Sequence, residues 1–127
     1  MGDLTKNFSR TEFACRHCGR MDIPMSSIER LQRVRDRVGH FLRVSSGYRC
    51  PAHNNAVSKS GPDGPHTKAA FDVRVFGAEA YHVVVAAIAE GFTGIGVSQT
   101  GPLEERFVHL DDIDDADGSP RPNLWSY

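Results

Sequence analysis

Gly64-Pro65-His66-Thr67-Lys68-Ala69-Ala70-Phe71-Asp72-Val73 places a histidine ahead of an aspartate, where turn-forming residues give way to an alternating apolar run. Further on, Phe107-Val108-His109-Leu110-Asp111 carries a second histidine on another strand-like run. Ala70 to Phe76 reads as a strand with Asp72, Arg74 and Phe76 on one face, because strand side chains alternate. By the same period His109 and Asp111 point the same way. If the two strands pair, His66, Asp72 and His109 converge at one end of a sheet. Two imidazoles and one carboxylate form a three-ligand set that leaves a fourth zinc position open, as a hydrolytic site requires and a closed structural site does not. The plainer reading of the same residues is surface or packing histidines, since the chain has 6 of them.

Zinc held there would lower the pKa of its water from about 16 to about 7 and polarise a scissile carbonyl. A nearby carboxylate would serve as general base, and Asp111 is the candidate because it shares a strand face with His109. Glu104 and Glu105 in the preceding turn are the alternatives. Asp111 also heads the acidic run to Asp117, which fits a solvated loop equally well. Arg49 is the candidate cation for an oxyanion or a substrate carboxylate. Tyr48 and Trp125 are candidate substrate contacts, with core or rim packing as the alternative.

Outward from this pair of runs, the remaining elements follow from spacing. Ser9-Arg10-Thr11-Glu12 is a capping-box pattern. Ser26 or Ser27 caps a helix whose apolar positions Ile28, Leu31, Val34 and Val38 recur at helical spacing, and Gly39 ends it. Phe41 to Ser45 reads as a short strand, Ser46 to Pro51 as a turn, and Asn54 to Pro65 as a loop. Ala78 to Glu90 is an apolar helix closed by Gly91. Phe92 to Ser98 and Arg106 to Asp111 are strands joined around Gly101-Pro102. The tail is acidic, then Pro-rich. Together these predict an α+β domain: a small, mainly antiparallel sheet with flanking helices.

At 127 residues the chain is expected to form one domain over 1–127, with a Cys-containing segment over about 8–25 and a tail over about 112–127. Its 15 basic and 16 acidic residues leave a net charge of -1, which gives no reason to expect a nucleic-acid partner. Arg30, Arg33, Arg35 and Arg37 gather on the first helix and read as a solvated face. No stretch is apolar enough for membrane insertion, and the N-terminus lacks a signal-peptide pattern, so cytoplasmic synthesis is expected. The 3 cysteines do not make a disulfide framework. Cys15-Arg16-His17-Cys18 and Cys50-Pro51-Ala52-His53 offer three thiols and an imidazole, so Cys15, Cys18, Cys50 and His53 form a candidate second, structural zinc site. Free thiols, or a disulfide from Cys50 to the N-terminal pair, are the alternatives.

Taken in order, Ser46-Gly47-Tyr48-Arg49-Cys50-Pro51-Ala52-His53-Asn54, His66 to Asp72, Gly94-Ile95-Gly96 and Phe107 to Asp111 resemble the zinc D-Ala-D-Ala metallopeptidases. These lie within the lysostaphin, D-Ala-D-Ala peptidase and Sonic hedgehog fold group. Phe13-Ala14-Cys15 and Leu31-Gln32-Arg33-Val34-Arg35-Asp36 are similar to its small peptidoglycan-cleaving branch, which includes phage endolysins. The resemblance implies a hedgehog-like fold, zinc on His66, Asp72 and His109, and Arg49 on a substrate carboxylate or oxyanion. It implies amide hydrolysis in peptidoglycan stem peptides, by a carboxypeptidase or an endopeptidase. The chain departs from the family pattern Ser-x-His-x-x-Gly-x-Ala-x-Asp: Gly64 replaces the Ser, and the His66-to-Asp72 spacing is one residue shorter. Arg106 stands where many relatives carry the catalytic acid.

The expected function is therefore a zinc-dependent murein peptidase of a phage or prophage. It would act as a monomer on the cell wall, after holin-type release or as part of a virion. The competing expectation is a non-catalytic, zinc-bound wall-binding or virion structural module on a degenerate peptidase fold.

Overall fold

A computed structural model describes residues 2–58, 61, 63–114 and 119–127. The described helices are α1 (Met25–Val38), α2 (Pro51–Val57) and α3 (Gly77–Ala89). The strands are β1 (Arg43–Ser46), β2 (Ala70–Arg74), β3 (Gly94–Ser98), β4 (Phe107–Asp111) and β5 (Asn123–Ser126). They form one sheet in the order β1-β2-β4-β3-β5, as the α+β reading expects. Three neighbouring pairs are antiparallel and the β3–β5 pair is parallel. None of the described helices is long and apolar enough to cross a membrane.

Alternation in the strands separates two faces. Phe71, Val73, Val108 and Leu110 are fully buried in the core, against Ile28, Leu31 and Val34 of α1 and Val83 and Ala87 of α3. Each buried Phe, Leu, Ile or Val side chain contributes roughly 1.5–3 kcal/mol by leaving water. On the other face the register lines up one residue from every strand. Ser46 pairs with Asp72, Asp72 with His109, His109 with Gly96, and Gly96 with Trp125. This row holds two of the candidate metal ligands, Asp72 and His109.

The helices differ from expectation in instructive ways. α1 begins at Met25 behind Pro24, and Ser27 is buried, donating its hydroxyl to Asp112 at 2.9 Å rather than capping. Gly39 ends the helix in the left-handed region at φ 75, as read from the sequence. The α1 arginines are not simply solvated: Arg33 and Arg37 both donate to Glu90 at the end of α3, at 2.8 and 2.5 Å. The turn read up to Pro51 and the loop read from Asn54 are replaced by α2, which Pro51 opens because a helix's first residue needs no N–H partner; Asn54 to Val57 are helical. In the tail, Asn123 to Ser126 add the parallel edge strand. Positions 115–117 of the acidic run from Asp111 to Asp117 lie outside the described residues.

Candidate metal centre

Asp72 and His109 are direct cross-strand partners on β2 and β4, so their side chains leave the sheet together. His66 sits on the short 3-10 turn Pro65–Thr67 just before β2. Thr67 stabilises that turn, its hydroxyl donating to the Gly64 carbonyl at 2.7 Å. The tight turn absorbs the shortened His66-to-Asp72 spacing: His66 Nε2 lies 3.3 Å from Asp72 Oδ1, and His109 Nδ1 lies 3.2 Å from the same oxygen. One donor atom from each residue lies within 4.8 Å of the others, and all three residues are buried. The two imidazole rings meet edge to face at 5.1 Å.

The outer nitrogens decide what the inner ones can do. His66 Nδ1 is 2.8 Å from the Gly47 carbonyl, which can only accept, so that nitrogen carries the proton. His109 Nε2 is 2.7 Å from Asp111 Oδ2, and the same reasoning protonates it. In the neutral rings, the lone pairs of His66 Nε2 and His109 Nδ1 then face Asp72. A ligating histidine is oriented in this way by a carbonyl or carboxylate behind it. The donor set therefore fits a zinc ion, with two nitrogens and one carboxylate oxygen presented to a common point.

Charge reinforces the arrangement. Burial would raise the Asp72 carboxyl, but when the His109 and His66 rings are protonated their inner nitrogens donate to it, and these bonds and charges hold it well below the usual range. Burial would depress His109, yet its bonds to Asp111 and Asp72 push it up. Asp111 is fully buried, and burial alone would raise it; His109 and Arg121 bring it down instead. Arg121 grips it with both arms, Nε to Oδ1 at 2.8 Å and Nη2 to Oδ2 at 2.7 Å. Both Asp111 oxygens are engaged, and its carboxylate meets His109 at the nitrogen turned away from Asp72. It is placed to orient the ring, whereas the sequence suggested a base.

Arg49 lies at the edge of the cluster, its Nη2 3.9 Å from Asp72 Oδ2. Nη1 donates to Asn54 Oδ1 at 2.9 Å, Nε contacts Ser46 Oγ at 3.3 Å, and its backbone N–H donates to the His66 carbonyl at 2.8 Å. Asn54 is buried on α2 and anchored in turn to the Gly61 carbonyl at 2.6 Å. Trp125 stands beside His109 at 5.1 Å, with the Arg121 guanidinium 5.1 Å above its ring. Gly96 makes room for it: a β-carbon there would lie 2.5 Å from the indole Nε1. Gly94 does the same for Asp111, whose Oδ1 would be 2.2 Å from an added β-carbon.

Other expected site residues lie elsewhere. Tyr48 is 5 % exposed and packs in the core, where burial raises its hydroxyl and its charged neighbours include Arg20 and Asp22, so it offers no open ring to a substrate. Glu104 and Glu105 are exposed on the 3-10 turn before β4. Arg106 lines a groove with Ala80, Tyr81 and Val84 of α3, on the opposite side of β4 from His109, and donates to the Gly101 carbonyl. Cys15, Cys18 and Cys50 gather into a second cluster with their sulfurs within 4.8 Å of one another, and none is in a disulfide. Sequence reasoning missed Asn54, Arg121 and the Gly47 carbonyl as supports; only the Arg49–Asn54 proximity in one motif hinted at the first.

Residues 5–111 match the family described as Peptidase M15. No curated protein and no solved structure matches the chain.

Proposed function

This chain belongs to the peptidase M15 family of zinc metallopeptidases, and we propose that it hydrolyses amide bonds in peptidoglycan stem peptides or cross-links. His66, Asp72 and His109 would hold the zinc. The observation that carries this is what stands behind the two rings: the Gly47 carbonyl and the Asp111 carboxylate engage the outer nitrogens, so that in the neutral rings the inner nitrogens turn their lone pairs to Asp72.

Bound zinc supplies a Lewis acid that activates water and polarises the scissile carbonyl. Asp111, neutralised by Arg121, fixes the His109 ring and keeps its Nε2 protonated. Arg49, braced by Asn54 and Ser46, presents a cation beside the cluster for a developing oxyanion or a terminal carboxylate. A free carboxylate on Arg49 fits a carboxypeptidase; a carbonyl oxygen fits an endopeptidase. Trp125 walls the site next to His109 and offers an apolar face to the peptide.

A phage or prophage lytic enzyme, working as a monomer after holin-type release or on a virion, is the setting we propose, on family resemblance alone. One observation favours a second reading, wall binding without turnover: Asp111 has both oxygens occupied, and the position where relatives carry an acid is Arg106, a permanent cation, so neither supplies a free base. Incubation of the zinc-loaded protein with purified sacculi separates the two. Released D-Ala indicates a carboxypeptidase, cleaved cross-links an endopeptidase. Tight sacculus binding with no new products would favour the second reading.

A further inference from the structure

Outside the His–Asp site, the richest chemistry lies where the N-terminal segment meets the turn after β1. Cys15 and Cys18 sit on a tight knuckle. The Gly19 N–H donates to the Cys15 carbonyl at 2.7 Å, and the Cys15 N–H to the Arg20 carbonyl at 2.7 Å. Gly19 takes φ 78, which a side chain would oppose. Cys50 approaches from the other side as the cap of α2. Its backbone N–H reaches Cys15 Sγ at 3.3 Å, and its own Sγ accepts from the His53 N–H at 3.4 Å. Backbone donors thus point at two of the three sulfurs, which suits thiolates.

A disulfide would satisfy two of these sulfurs and strand the third, whereas a metal uses all three. An imidazole stands beside the three sulfurs, outside the group whose donor atoms all lie within 4.8 Å of one another. His17, between the knuckle cysteines, holds Nδ1 3.4 Å from Cys50 Sγ. His53, the imidazole expected from the sequence, instead lays its ring parallel on His17 at 5.9 Å.

We propose that Cys15, Cys18, Cys50 and His17 bind a second zinc ion in a closed, four-ligand structural site, with His53 as a stacking support. Binding releases the thiol protons to solvent. The site fastens the N-terminal segment to the turn that carries Arg49, the residue just before Cys50. It thereby positions the cation beside Asp72 without touching substrate.

The test is metal analysis and cobalt substitution on the whole protein, purified under reducing conditions. Roughly two zinc ions per chain are expected, falling to about one in Cys18→Ser and to about one in His66→Ala. Cobalt-loaded protein should show a thiolate-to-metal charge-transfer band that survives His66→Ala, is lost in Cys18→Ser, shifts in His17→Ala and is unchanged in His53→Ala. The three thiols of the native protein should resist a thiol reagent until a chelator is added. One zinc per chain with no charge-transfer band would overturn the proposal, as would thiols that react freely without chelator, or a disulfide in the native mass. A band altered by His53→Ala and not by His17→Ala would overturn the assignment of the fourth ligand.

Discussion

The molecule gathers metal-competent side chains at two places and builds them in opposite ways. Asp72 and His109 are locked by β-ladder register, and His66 joins them from a turn that flows into the same strand. Cys15, Cys18 and Cys50 come from two turns far apart in sequence, with no ladder between the cysteines themselves. The strand-built group has two imidazoles and one carboxylate, supported from behind by Gly47, Asp111 and Arg121. The turn-built group has three sulfurs and an adjacent imidazole. A sheet supplies geometry before any ligand arrives and can leave a position open for chemistry. Turns of this kind need a ligand to hold them, and a closed set spends every position on doing so. On this account the first cluster reacts and the second supports.

That contrast can be broken most directly at the reacting cluster. His66→Ala should reduce muropeptide release to background while leaving the cysteine cluster intact, as read by product analysis and by the cobalt charge-transfer band. Arg49→Ala should keep zinc at both clusters yet lower turnover by about 10²–10³-fold, the cost of losing one oxyanion donor. Lysine at this position should recover part of that loss. Asp111→Asn sharpens the role of the carboxylate behind His109. As an orienting partner it should cost about 10–100-fold in zinc affinity, with activity restored by added zinc. Unchanged affinity with activity abolished would make it the base instead.

The smallest expected effect is in the row of residues across the sheet. Gly96→Ala places a methyl group against the Trp125 indole. It should destabilise by about 1–3 kcal/mol through overpacking. Chemical denaturation and the shift in Trp125 emission would report it, and an unchanged emission would mean that the indole does not depend on this gap.

Much of this was legible in the sequence because strands announce their faces. The alternation of Ala70 to Arg74 and Phe107 to Asp111 places Asp72 and His109 on the polar face, and the two runs pair as read. The helical periodicity of α1 and the apolar run of α3 were equally plain. What escaped reading depends on groups that carry no side-chain pattern or come from distant sequence. The Gly47 carbonyl that sets the His66 tautomer is backbone. Arg121, which neutralises Asp111, lies in a Pro-rich tail whose composition hid a parallel edge strand. Pro51 looked like a breaker, although it stands at the one helical position where proline fits. Tyr48 sits within a motif of exposed chemistry, yet strand-end geometry turns its ring into the core.

The most direct test of the central claim pairs zinc analysis with product analysis on the wild-type protein and His109→Ala, using purified sacculi. The account predicts that His109→Ala loses about one zinc per chain and all muropeptide release together. Product that persists after that zinc is gone would contradict it, and so would a wild-type protein that binds no zinc at the strand-built cluster.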